Sequence, residues 1–510
     1  MSEVRDGIIR DNKGIDFNKL HENTLNVLSA DAQSEDFELI PVKDPRQTME
    51  EMKSKYAIRF PKIGVGKTYL IKTYGCQMNE HDTEIMAGML REMGYTPASG
   101  VDDADFILFN TCAVRENAED KVFGEIGRLK PLKRKNPELI LGLSGCMAQE
   151  SAVREMVAKT YPYIDIVFGT HNIHQLPELL EQAKHSQETI FEVWEQAGEV
   201  VENLPKVREH GVRAWVNIQY GCNKYCTYCI VPYTRGRERS RLPEDVVAEV
   251  RELAKQGYKE ITLLGQNVND YGIDLKTVDF ADLLRMVNEV EGIERIRFTT
   301  SNPWNFTDKL IETIAKCDKI AEHIHLPVQS GNNYVLRRMN RGYTREYYLE
   351  LVGKIRQAIP DVSLTTDIIV GFPGETEEMF QDTLSLVREV RFDNAYTFIY
   401  SPRKGTPATR FRDQVPEEEA KDRLQRLMDT QYAISKEINM KMKDQVVEVL
   451  IEGESKTNPD VLQGRMRNNK LVLFQAPRDT VGKLANIRIM EPQTWLLKGE
   501  LVEVLEEVGV

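Results

Sequence analysis

From Lys67 onward the chain repeats one hydrophobic pattern. Short apolar runs rich in Ile, Leu and Val (TYLIKTYGC, DFILFNTC, ELILGLSGC and YIDIVFGT) each end in turn residues and read as strands. Between them, HDTEIMAGMLREMG and ENAEDKVFGEIGRLK space their apolar residues at helical intervals. Strands alternating with helices predict βαβ units and a parallel sheet. A second series begins at AWVNIQYGC. Its predicted strands are AWVNIQY, EITLLG, RIRFTT, HIHLPV, SLTTDIIVGF and NAYTFIY, separated by helices such as EDVVAEVRELAKQG and TEEMFQDTLSLVREV. Six such units predict an incomplete β/α barrel or, failing that, an open doubly wound sheet. A charged helix follows from about Pro416 to Lys443. The chain then changes to short strands, DQVVEVLIEG, KLVLFQA, LANIRIM and LKGELVEVL, which predict a small all-β module, most simply a five-stranded barrel.

The fold class is therefore α/β with a C-terminal β module. The expected segments are a mobile N-terminal extension over residues 1–65, an α/β domain over 66–185 and an acidic linker over 186–207. A partial barrel over 208–440 and the β domain over 441–510 complete the chain. The extension mixes charges with few periodic apolar positions, and SQETIFEVWEQAGEVVENLPKV is acidic and aperiodic.

Hydrophobic residues make up 41% and charged residues 29% of the 510, the balance of a globular protein. No apolar run approaches the ~18–20 residues that cross a bilayer, and the charged start MSEVRDGIIRDNKG lacks the core of a signal peptide. The expectation is a cytoplasmic protein with no membrane association, in which clustered thiols bind metal or catalyse rather than form disulfides. The net charge of −13 argues against wholesale coating of nucleic acid but leaves room for local patches. RLKPLKRK is one. The other, from Val212 to Arg241, ends in RGRERSR and sets Arg235, Arg237, Arg239 and Arg241 at alternate positions, where they could meet a polyanion.

Six of the seven cysteines carry the chemistry. Cys76, Cys112 and Cys146 lie too far apart for a local metal knuckle, yet each follows a predicted strand at the turn into a helix. In a parallel sheet such loops open at the same carboxyl edge, so the three thiols should converge there. Cys222, Cys226 and Cys229 follow C-x3-C-x2-C spacing after another strand. Structural zinc prefers four ligands in separated pairs. A 4Fe–4S cluster suits thiolates better, and three of them leave one iron open for a substrate or cofactor. Cys317, in IETIAKCDKI, reads as a core residue of an apolar helix. His323 and His325 read as barrel packing or a substrate contact rather than a metal pair.

The CNKYCTYC triplet after the first barrel strand resembles the radical S-adenosylmethionine (SAM) superfamily. That resemblance implies an open iron that chelates SAM and reductive cleavage of SAM to a deoxyadenosyl radical. It makes Gln266, Asn267, Ser301, Gln329 and Asp367, all at predicted strand ends, candidates for SAM contact, with GFPGET beside them. The whole arrangement from Lys67 to Val510 resembles the methylthiotransferases, which implies an auxiliary 4Fe–4S cluster on Cys76, Cys112 and Cys146 that carries sulfur. It also implies a last domain of the RNA-binding TRAM type, with Arg465, Arg467, Lys470 and Arg478 as its basic face. YGCQMNEHDTE and CIVPYTRGRERSR are most similar to the branch that acts on isopentenyladenosine in tRNA.

The reaction this implies is methylthiolation of carbon 2 of that adenine, next to the anticodon, with one SAM as methyl donor and a second as radical source. A low-potential electron donor such as flavodoxin or ferredoxin and a sulfur donor are implied partners. The base must leave its stack to react, and Tyr225, Tyr228 and Tyr233 are candidate stacking surfaces. Two alternatives remain: a methylthiotransferase acting on threonylcarbamoyl-adenosine or a ribosomal protein, and a non-enzymatic, metal-stapled RNA-binding protein.

Overall fold

The computed structural model describes residues 58–505 apart from 114–115, 197, 199 and 209–210, so the expected extension lies outside the described residues as far as residue 57. β1 (Thr68–Tyr74), β2 (Thr96–Pro97), β3 (Phe106–Thr111), β4 (Ile140–Gly145), β5 (Ile166–Phe168) and β6 (Ile190–Glu192) form one parallel sheet in the order β2-β1-β3-β4-β5-β6. FILFNT is buried at every position because helices cover both faces. Phe106 and Leu108 pack with Met86, Met89 and Leu90 of the helix Gln77–Glu92, whereas Ile107 and Phe109 pack with Val122 and Ile126 on the other side. The segment expected to be a linker behaves differently. Its IFE forms the edge strand β6, and Glu202 pairs with Arg241.

β7 (Arg213–Asn217) leads into a short antiparallel ribbon of β8 (Gln219–Tyr220) and β9 (Arg239–Ser240). β10 (Glu260–Leu264), β11 (Arg295–Phe298), β12 (His323–His325), β13 (Ser363–Val370) and β14 (Asn394–Ile399) follow, with a helix between each pair of neighbours. Parallel pairing runs β7-β10-β11 and β12-β13-β14, and a bridge between Ile296 and Ile320 joins the two groups of three. The order never reverses, as it would in a doubly wound sheet, and among the described residues no pairing joins β14 to β7. The result is the open six-stranded barrel. Its core of Val216, Ile261, Leu263, Ile296, Ile324, Leu364 and Ile368 is sealed by the helices outside, including Leu427 and Ile434 of the helix Glu417–Met440. Cys317 caps the helix Asp308–Lys316 just past its end and packs against this core from a partly buried position.

β15 (Val446–Glu454), β16 (Leu462–Met466), β17 (Leu471–Phe474), β18 (Leu484–Pro492) and β19 (Leu497–Val504) close into a barrel in the order β15-β16-β17-β19-β18. β16 is the strand that the apolar pattern does not announce. LQGRM has a glycine at its centre, and a Cβ on Gly464 would stand 2.4 Å from the Leu450 carbonyl oxygen.

Candidate active site: two cysteine triads at a domain boundary

Cys76, Cys112 and Cys146 leave three adjacent strands. Tyr74 of β1 lies opposite Thr111 of β3, and Thr111 lies opposite Gly145 of β4. Each cysteine follows within two residues, so the thiols emerge at one sheet edge within about two strand spacings of ~4.8 Å. Gly145 makes the last turn possible. Its φ is +95°, and a Cβ there would sit 2.2 Å from the Thr111 carbonyl oxygen. Buried Asn79 stitches the loops by donating to Thr111 O at 3.2 Å and to Asn110 Oδ1 at 3.3 Å, with its own Oδ1 3.5 Å from Cys76 Sγ.

Cys222, Cys226 and Cys229 lie between β8 and β9. Gly221, at φ +77°, passes so close to Arg237 that a Cβ would meet its carbonyl oxygen at 2.1 Å. Asn340 Nδ2 donates to the carbonyls of Lys224 and Tyr225, and Thr227 Oγ1 donates to Arg338 O at 2.7 Å. The loop is held at both flanks. Arg341 Nη1 donates to Cys226 Sγ at 3.3 Å.

The donor set fits iron–sulfur clusters. Burial pushes the Cys229 thiol up to about 12, and the nearby Cys226 adds to the rise. Cys222 is raised well above the usual thiol range, again by burial first. Burial also raises Cys146, opposed by the Arg235 charge. Crowded thiols of this kind need a cationic partner before they ionise together. Among the described residues no three His, Cys, Asp or Glu side chains converge as ligands of a single ion do. A 4Fe–4S cluster takes each thiolate on its own iron.

The triads face one another. Ala113, Cys146 and Ile230 form one apolar contact, so the neighbours of Cys112 and Cys229 meet across the boundary. Thr170 Oγ1 donates to Thr234 O at 2.6 Å, and Asn217 Nδ2 lies 3.1 Å from His81 Nδ1. Behind them Glu249 gathers Lys206, Arg208 and Arg241 into one ion-pair network.

The SAM candidates divide into three kinds. Gln266 accepts from Gly221 N at 2.7 Å and donates to the Met78 sulfur, so it braces the boundary. Asn267, Ser301 and Gln329 are buried, and both amide atoms of Asn267, Ser301 Oγ and Gln329 Oε1 have no hydrogen-bond partner in the protein. Such orphaned groups at strand ends fit a polar ligand. Asp367 is part exposed and lies 3.4 Å from His325 Nε2. His323 and His325 both reach Thr365 Oγ1.

The arginines expected to meet RNA are largely occupied. Arg235 is buried between Asp82 and Cys146. Arg241 is buried on Glu202 and Glu249, and Arg239 donates to Gly198 O and Arg235 O. Arg465 pairs with Glu452 at 3.3 Å and Arg467 with Glu322 at 2.8 Å. Lys470 and Arg478 pair with Asp393 and Glu454. Arg465, Arg467 and Lys470 are thereby turned largely inward, whereas Arg478 stays 68% exposed and open to a phosphate. Arg237 remains exposed. Tyr228 packs edge-on to Phe372, whereas Tyr233 stacks edge-on to Tyr225 and is 46% exposed. Sequence reasoning did not single out Asp82, Asn79 or Arg341. Arg341 follows the helix Asn333–Arg338, far from any cysteine in the chain, and nothing local marks it.

Family models agree with this layout. The radical SAM superfamily model matches residues 216–387, the TRAM domain model matches 441–502, and uncharacterized protein family UPF0004 matches 68–169. The chain is 60% identical over 452 residues to the tRNA-2-methylthio-N(6)-dimethylallyladenosine synthase of Geobacillus thermodenitrificans, covering 88% of this chain and 86% of that one. The enzymes of that name from Anoxybacillus flavithermus (59% over 451 residues, 88% and 85% covered) and Halalkalibacterium halodurans (57% over 449, 88% and 83%) are similarly close.

Proposed function

The chain belongs to the family of tRNA-2-methylthio-N(6)-dimethylallyladenosine synthases, and from that membership we propose how its residues divide the reaction. The protein is a radical SAM transferase that places a methylthio group on carbon 2 of N6-isopentenyladenosine next to the tRNA anticodon, with SAM and 4Fe–4S clusters as cofactors. In this reading Cys222, Cys226 and Cys229 hold the cluster that faces SAM, and Cys76, Cys112 and Cys146 hold an auxiliary, sulfur-carrying cluster. When bound, these groups supply a radical oxidant for an unactivated aromatic C–H and a sulfur for methyl transfer, with one SAM for each task, chemistry that no side chain provides.

The protein's own part is placement. Asn267, Ser301 and Gln329 offer their unpaired polar atoms to SAM. Asn79 and Gly145 fix the first triad, and Gly221 and Asn340 fix the second. Tyr233 presents its exposed ring to a base drawn from its stack, while Arg237 and the TRAM barrel meet the RNA. A low-potential protein such as flavodoxin or ferredoxin delivers electrons, and a separate donor replaces the sulfur. Action on tRNA places the enzyme in the cytoplasm. No described helix is long and apolar enough to cross a membrane.

The observation that supports this division is the shared apolar cluster of Ala113, Cys146 and Ile230, which joins one cysteine of the first triad to the neighbour of one cysteine of the second. The test is anaerobic reconstitution with iron and sulfide counting, then mass spectrometry of digested tRNA. Wild type should hold two cubanes and thiolate the tRNA. The Cys76/Cys112/Cys146 triple alanine variant should hold one, still cleave SAM and form no methylthio product. Thiolation by that variant, or product found only on ribosomal protein or threonylcarbamoyl-adenosine, would overturn the reading.

A further inference from the structure

Among the described residues, each triad receives a hydrogen bond from an arginine. Arg235 Nε donates to Cys146 Sγ at 3.3 Å, and Arg341 Nη1 donates to Cys226 Sγ at 3.3 Å. Arg235 comes from the segment that follows Cys229, so it reaches across the domain boundary to the opposite triad. The two guanidiniums differ in their second partners. Arg235 Nη2 bonds Asp82 Oδ2 at 2.8 Å, with both side chains 5% exposed or less. Arg341 donates from Nε to the Tyr343 hydroxyl at 2.9 Å and from Nη2 to Pro327 O at 3.1 Å, both uncharged.

A hydrogen bond to a ligating sulfur, and positive charge beside it, draw electron density from the thiolate and make a cluster easier to reduce. A carboxylate within bonding distance of the same guanidinium cancels most of that field.

We propose that Arg235 and Arg341 are the positioning residues of the two clusters, each fixing one thiolate and raising its cluster's electron affinity, and that Asp82 makes them unequal. The triad of Cys222, Cys226 and Cys229 keeps the full benefit of its arginine, whereas the auxiliary triad keeps the positioning and only a small part of the charge effect. An electron from a one-electron reductant therefore settles where SAM binds and leaves the sulfur-carrying cluster oxidised. This rests on the assignment of both triads as cluster ligands.

The test uses the full chain, reconstituted and poised at a series of potentials, with electron paramagnetic resonance reporting each reduced cluster. A Cys222/Cys226/Cys229 triple alanine variant identifies the auxiliary signal. Asp82→Asn should raise the auxiliary potential and Arg235→Gln should lower it. Arg341→Gln should lower the other potential and leave the auxiliary one in place. Arg235→Gln should also lose auxiliary iron to a chelator roughly tenfold more readily, as loss of a ligand-orienting partner does. Arg235→Lys keeps the charge without the fork and should fall between Arg235→Gln and wild type.

Asp82→Asn and Arg235→Gln moving the auxiliary potential in the same direction would mark the pair as a structural clamp and overturn the proposal. If Arg235→Gln does not fold, Asp82→Asn decides together with Arg235→Lys: an auxiliary potential unchanged in both overturns it as well. A wild-type protein with iron for one cubane fails differently, because it removes the cluster assignment itself.

Discussion

His171 lies buried at the domain boundary beside Arg239 and Arg235. Burial first, and then those two charges, hold its imidazole at about 4, below the usual 6.5. The folded protein therefore prefers the neutral ring. Its contribution to stability is complete above pH 6.5 and is lost as the pH falls toward 4, at no more than about 1.4 kcal/mol per pH unit. Thermal unfolding followed from pH 8 to pH 4.5 should show a falling midpoint below pH 6.5, and His171→Gln should flatten that limb. An unaltered slope would show that other groups govern it. The arginines beside His171 show how much a single residue's role depends on its surroundings. In RGRERSR the four arginines are equivalent by spacing and composition. In the fold, three turn inward to a cysteine sulfur, backbone carbonyls and carboxylates, and Arg237 turns out. The six cysteines differ in this respect. The strand-end positions of the first three and the C-x3-C-x2-C spacing of the second three are both local patterns, and so are visible in the sequence.

At the level of elements, a strand of this sheet delivers its thiol only if the turn after it is tight. Gly145→Ala should cost about 1–3 kcal/mol through its positive φ alone, and the added methyl collides with the Thr111 carbonyl. Cys146 then cannot return to the sheet edge, so the variant should bind iron for one cubane while still cleaving SAM. Gly124→Ala is the matched control. It lies on the exposed face of the helix Glu116–Lys135 with nothing within 4 Å of a Cβ, and should gain roughly 0.5–1 kcal/mol. Iron counting and thermal unfolding of the two variants check both statements. All fourteen apolar runs read from the sequence coincide with strands, but length and content limit what a pattern can show. β6 is three residues in an acidic stretch, and β16 has a glycine where a side chain would advertise a buried face.

At the scale of the molecule, the C-terminal barrel docks at the end of the β/α barrel opposite the triads. Arg213, Glu260 and Arg295 are the first residues of β7, β10 and β11, whereas the cysteines follow strand carboxyl ends. Arg297 pairs with Glu260 at 2.9 Å and donates to the carbonyls of Met466 and Arg467, and Arg295 pairs with Glu448 at 2.6 Å. Glu260 and Arg297 are almost wholly buried, and breaking such a pair from one side costs about 3–5 kcal/mol. Arg297→Met should therefore lower the unfolding midpoint and weaken tRNA binding, measured by fluorescence anisotropy, while SAM cleavage without tRNA stays at the wild-type rate. Undiminished tRNA affinity would mean that the small barrel contributes to RNA binding without its docked position.

The βαβ repetition, the β module and the two groups of three thiols are written in the chain itself, and the six strand–helix units narrow the middle domain to a barrel or a doubly wound sheet. Each of these is encoded locally, as hydrophobic period or as spacing along the chain. Which charges face solvent and which are bound inside is settled by packing in three dimensions. The same packing also decides that Arg235 and Arg341 serve sulfur and that Asn267, Ser301 and Gln329 are left with unpaired polar atoms. The reason is physical: hydrogen bonds and ion pairs act over a few ångströms in space, and residues as far apart in the chain as Asp82 and Arg235 become neighbours only when two domains close on each other.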